Sequence, residues 1–102
     1  MVNELGDKRK QFTKYVARLI TFMVQQGYQP MIGRDGLKHM NGSLHFEGLA
    51  VDIDLCDSKG VYIKTTQPKI FGDFWKALDP NCTWGGDFND SNHYSVTYGG
   101  KK

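Results

Sequence analysis

Cysteine is scarce in this chain, with Cys56 and Cys82 the only two among 102 residues. A disulfide framework is therefore excluded. One bridge stays open, but the expectation is two reduced thiols in a cytoplasmic product. No apolar run approaches the roughly 20 residues of a membrane helix, so no membrane insertion is expected. Charge of one sign is also missing. Thirteen Lys and Arg face eleven Asp and Glu, for a net charge of +2, and no dense basic stripe suggests a nucleic-acid partner. The most basic run, Asp7-Lys8-Arg9-Lys10, reads as the solvated face of a helix. Asn3, Glu4, Asp7 and Lys8 stand where a signal peptide needs apolar residues. Repeats, low-complexity tracts and linkers are absent as well. A soluble single domain over residues 1–102 is expected.

What is present is ordinary globular material. Hydrophobic residues make up 39% of the chain and charged residues 24%; six Phe, five Tyr and two Trp supply core. Phe12, Val16, Leu19 and Met23 recur at helical spacing, which predicts a helix over residues 4–26, stopped by Gly27. A short strand is predicted around Met31 and Ile32, followed by a glycine-punctuated loop. From Leu49 to Leu55 the chain alternates: Val51, Ile53 and Leu55 point one way, and Ala50, Asp52 and Asp54 the other. Asp57-Ser58-Lys59-Gly60 is a turn, from which Val61 to Lys64 is predicted to return as a hairpin strand. Pro68 opens a second helix whose stripe is Phe71, Phe74, Trp75 and Leu78, ended by Asp79-Pro80-Asn81. Two last strands are predicted at Trp84–Phe88 and His93–Tyr98. The fold class is α+β, a small antiparallel sheet with helices packed on one side.

Asp52 poses the chemical question. A carboxylate on a strand with a strongly apolar opposite face is costly unless it is paired or holds a metal. A salt bridge or a turn cap would satisfy it. His45 lies just upstream, with Gly48 between them to permit a tight backbone path. Downstream, Asp90 and His93 stand three apart at the entry to the last strand, in Trp84-Gly85-Gly86-Asp87-Phe88-Asn89-Asp90-Ser91-Asn92-His93. If the last strand lies beside Leu49–Leu55, then His45, Asp52 and His93 can meet. Two imidazoles and one carboxylate, with a fourth position open to water, make a catalytic zinc site. Asp90 would then stand beside the water as proton acceptor, or else cap an Asx turn.

The set Ser43-x-His45-x-x-Gly48-x-Ala50-x-Asp52, followed by Trp84-Gly85-Gly86 and Asp90-x-x-His93, resembles the zinc DD-peptidase superfamily. That superfamily holds D-Ala-D-Ala carboxypeptidases and dipeptidases, the L-alanyl-D-glutamate peptidases of phage endolysins, and the non-catalytic Hedgehog signalling domain. The likeness spans residues 31–98. It implies a Hedgehog/DD-peptidase fold, zinc held by His45, Asp52 and His93, and Asp90 as general base where many relatives carry glutamate. It also implies an arginine upstream of the first motif that holds the substrate's carbonyl or carboxylate. Arg34 is in the right place, because Arg9 and Arg18 lie in the first helix; a plain surface role for Arg34 is the alternative. Relatives often follow the last histidine with an aromatic and then an acidic residue, whereas here Tyr94-Ser95 follows. Asp54 is either a supporting group for the site or solvent-facing, and His39 reads as a surface residue.

The resemblance thus implies a zinc peptidase that hydrolyses peptidoglycan stem peptides; a monomer is expected. With no signal peptide in the sequence, it would be made in the host cytoplasm and reach the cell wall at phage lysis. Either an L-Ala-D-Glu endopeptidase or a D-Ala-D-Ala carboxypeptidase fits. A non-catalytic, metal-bearing binding module is the second reading. A small metal-dependent nuclease is a weaker third, for want of phosphate-binding Lys or Arg around the motifs.

Overall fold

The structure is a computed structural model that describes residues 4–33, 44 and 48–101. Helix α1 runs Glu4–Gln25, strand β1 Gln29–Ile32, strand β2 Ala50–Cys56, helix α2 Lys69–Leu78, strand β3 Cys82–Trp84 and strand β4 His93–Val96. The chain is a small α+β domain. Its four strands form one antiparallel sheet in the order β1-β2-β4-β3. No helix among the described residues is long and apolar enough to cross a membrane.

Both helices form where their apolar stripes require. In α1, Phe12, Leu19 and Met23 are buried. The helix closes around Gly27 with the Gly27 N–H donating to the Val24 carbonyl and the Tyr28 N–H to the Met23 carbonyl, the bond pair of a Schellman cap. Pro68 stands just before α2, and Phe71 and Trp75 are fully buried. These side chains cover the sheet face that carries Ile53, Leu55, Tyr94 and Val96. Trp75 lies at its centre. Its ring meets Phe12, Tyr15 and Tyr94 edge-on, and its indole N–H donates to the Ser95 carbonyl at 3.0 Å.

Two expected strands come out differently. Residues 61–64 form no strand. Tyr62 makes a single bridge to Cys56, and the Ile63 N–H donates to the Leu55 carbonyl. The same edge of β2 is taken by the β4 chain from Asn92 onward, through the Ile53 N–H to the Asn92 carbonyl, so the returning segment has room for little more. Trp84–Phe88 is not one strand either. β3 ends at Trp84, and Gly85–Phe88 is a turn of 3-10 helix. The Trp84 indole takes the space where side chains at Gly72 and Gly86 would sit, and a continued strand would break that packing.

Cys56 and Cys82 are both free thiols; Cys56 is half-buried and Cys82 buried. Burial first, and then the charge of Asp79, push the Cys82 thiol from 9.0 up to about 12. A thiol reagent at neutral pH is expected to label Cys56 in the folded protein and Cys82 only after denaturation. Because the folded value exceeds the unfolded one, the Cys82 contribution to stability is intact below pH 9 and lost as pH rises toward 12. Equal labelling rates for the two thiols in native buffer would contradict this placement.

Candidate metal centre

The polar face of β2 and the start of β4 meet in register. Asp52 pairs directly with His93 across the two antiparallel strands, which puts both side chains on the face turned away from the helices. His93 Nδ1 lies 3.7 Å from Asp52 Oδ1, with the His93 side chain 9% exposed and that of Asp52 21% exposed. Asp90, at the surface, completes a group in which one ligand atom each from Asp52, Asp90 and His93 lies within 4.8 Å of the others.

Asp90 is delivered by the turn between β3 and β4. Its N–H donates to the Gly85 carbonyl at 2.8 Å, and its carbonyl accepts from the His93 N–H at 3.0 Å. Asn89 takes a left-handed conformation, φ 64°, to make the reversal. Gly85 is needed for close approach: a Cβ there would lie 2.6 Å from His93 Cβ and run into the Asp90 carbonyl. The adjoining 3-10 turn is pinned to α2 by Lys76, whose ammonium pairs with Asp87 at 2.9 Å and lies over the Trp84 ring. Gly48, upstream of β2, has φ 76° with the Arg9 side chain packed against it, a conformation glycine adopts readily; the path from His45 to it lies outside the described residues. On the other side, the Gly33 N–H donates to the Asp52 carbonyl at 2.6 Å.

Of the five residues singled out in the sequence, Asp52, Asp90 and His93 are brought together. His45 and Arg34 lie outside the described residues, as do His39 and Ser43. Asp54 is tied to its neighbours, accepting from Asn92 Nδ2 at 3.1 Å and, at 3.5 Å, from the Tyr62 hydroxyl. The charge of Asp54 raises the Tyr62 phenol above its ordinary value.

One imidazole and two carboxylates suit a divalent ion that takes nitrogen and oxygen ligands, zinc among them. Ligand atoms in a tetrahedral zinc site stand roughly 3.3 Å apart, so the His93–Asp52 separation of 3.7 Å needs only a small adjustment. Beside Asp90 opens a cleft of about 350 Å³, lined by hydrogen-bonding residues including Asp54, Tyr62, Lys64, Thr66 and Asn89. Such a lining suits a polar, extended ligand better than an apolar one.

Sequence reasoning missed Gln67, a buried residue whose amide and backbone reach three segments of the site. No local pattern marks it beyond its place before Pro68. No family model matches the chain, and no curated protein sequence matches it.

Proposed function

We propose that the chain is a zinc peptidase of the DD-peptidase type that hydrolyses a peptide bond in bacterial peptidoglycan stem peptides, in the manner of a phage lysis enzyme. The observation that carries this reading is the cross-strand pairing of Asp52 with His93, with Asp90 converging on both. The three residues that converge belong to the two halves of the motif whose likeness suggested the activity. The polar cleft beside Asp90 supplies room for a peptide rich in amide and carboxylate groups.

In this reading Asp52 and His93 would hold the metal, with His45 as the third ligand the resemblance implies. When bound, zinc supplies Lewis acidity to a scissile carbonyl and to an attacking water. Asp90 would accept a proton from an attacking water and pass it to the departing amine. Arg34, the arginine the resemblance implies, would stabilise the negative charge that develops on the carbonyl oxygen, a task suited to guanidinium. The buried His93 ring has Asp52 Oδ1 at 3.7 Å from its Nδ1 and the Phe88 ring at 5.8 Å, neighbours that limit how far it can turn.

Clearing of purified bacterial cell walls tests the proposal. The native protein is expected to clear walls and to carry one equivalent of zinc. A strong chelator should abolish clearing, and added zinc should restore it. Clearing that survives complete metal removal would sink the zinc mechanism; a zinc-loaded protein that leaves every wall type intact would favour a binding module.

A further inference from the structure

We infer that Gln67 is the positioning residue of this site, locking the three segments that carry Asp52, Asp90 and His93 into one geometry. The inference rests on the metal-site reading. Gln67 Nε2 donates to the Ile53 carbonyl at 2.6 Å, Gln67 Oε1 accepts from the Tyr94 hydroxyl at 2.9 Å, and its backbone N–H donates to Ser91 Oγ at 2.9 Å. Ile53 follows Asp52, Tyr94 follows His93 and Ser91 follows Asp90. Each bond therefore falls one residue from a member of the cluster. Gln67 is 4% exposed, so its bonds are hardly shared with bulk water.

Gln67 is well held itself. Pro68 fixes the backbone that follows it, and α2 beyond is anchored by fully buried Phe71 and Trp75. A primary amide carries a donor and an acceptor in one rigid plane, which lets a single side chain tie β2 and β4 together from the end of a helix. The third segment is held twice, since the Trp84 indole N–H donates to the Ser91 carbonyl at 2.8 Å. Groups that sit behind metal ligands and fix their orientation govern affinity as well as stability.

The test titrates the full-length, metal-stripped protein with zinc, and with cobalt(II) for its visible spectrum, at a temperature where every variant is folded. Gln67→Met keeps the volume and removes both side-chain bonds. It is expected to bind zinc about 10- to 100-fold more weakly and to give an altered cobalt spectrum. Gln67→Glu, whose carboxyl burial keeps neutral, both donates and accepts and is expected to recover most of the affinity. Tyr94→Phe, which removes one bond far from any ligand atom, should weaken zinc binding by a smaller factor and add nothing on top of Gln67→Met. Wild-type affinity and an unchanged cobalt spectrum in folded Gln67→Met would overturn the proposal. Should that variant not fold, unchanged zinc affinity in Tyr94→Phe does so. A native protein that takes up no zinc overturns the metal reading itself, and is seen before any variant is made.

Discussion

Replacing Asp90 with asparagine is expected to leave a folded, zinc-binding protein whose wall hydrolysis falls by about 10²- to 10⁴-fold. The turn that delivers Asp90 is held by its backbone, through the Gly85 carbonyl and the His93 N–H. Those bonds are indifferent to the side chain, and the amide has nearly the carboxylate's shape. What it lacks is the ability to accept a proton. Zinc affinity separates the two roles that the Asp52, Asp90 and His93 group allows. A general base leaves metal binding almost unchanged when it is lost, whereas a ligand takes much of the affinity with it. Wall turnover at the wild-type rate by the Asp90→Asn protein would remove Asp90 from the chemistry. Zinc loss equal to the activity loss would make it a ligand instead.

Trp75→Ala is expected to cost about 3–5 kcal/mol for the lost aromatic volume alone. Trp75 is completely buried and meets Phe12, Tyr15 and Tyr94 at ring separations of 5.8, 6.3 and 5.8 Å. Its loss also strands the Ser95 carbonyl, to which the indole N–H donates, and a stranded buried acceptor costs a further ~1–3 kcal/mol. A small domain has a total stability of about 5–15 kcal/mol, so most of the variant should be unfolded or close to it at 37 °C. Trp75→Phe keeps an aromatic ring but loses the donor and part of the indole's volume, so it should fall between wild type and Trp75→Ala. Urea or thermal denaturation checks the series. A midpoint for Trp75→Ala within a few degrees of wild type would mean that β4 does not lean on α2.

The consequence for the site is direct. Tyr94 and Ser95, which Trp75 supports, follow His93 on the same short strand. Loosening that contact should move His93 relative to Asp52 before the rest of the sheet gives way. Zinc should therefore stabilise the wild-type protein by more than it stabilises Trp75→Ala, because ligand binding favours the state in which the ligands converge.

Parts of the site were legible in the chain because the features that carry them are local. The alternation from Leu49 to Leu55 placed Ile53 and Leu55 opposite Asp52 and Asp54, and the fold keeps them so: Ile53 and Leu55 are fully buried, and Asp52 and Asp54 half-exposed on the other face. The helical stripes gave α1 and α2 nearly to the residue for the same reason. The two misplaced strands mark where local reasoning ran out. Residues 61–64 have strand-forming composition but meet an edge of β2 that β4 already occupies. Trp84 and Phe88 look like one strand until the indole of Trp84 packs over Gly72 and Gly86.

Side-chain alternation and helical periodicity follow from covalent geometry, so the sequence by itself determined the two helices with their buried stripes, strand β2 with its buried face, and the side of β2 on which a carboxylate would stand. Which strand lies beside β2, and in which register, is decided by packing between distant segments that share no local signal. Only the tertiary structure could set Asp52 opposite His93, fold Asp90 back onto them, and bring Gln67 against Ile53, Tyr94 and Ser91, the residues that follow them.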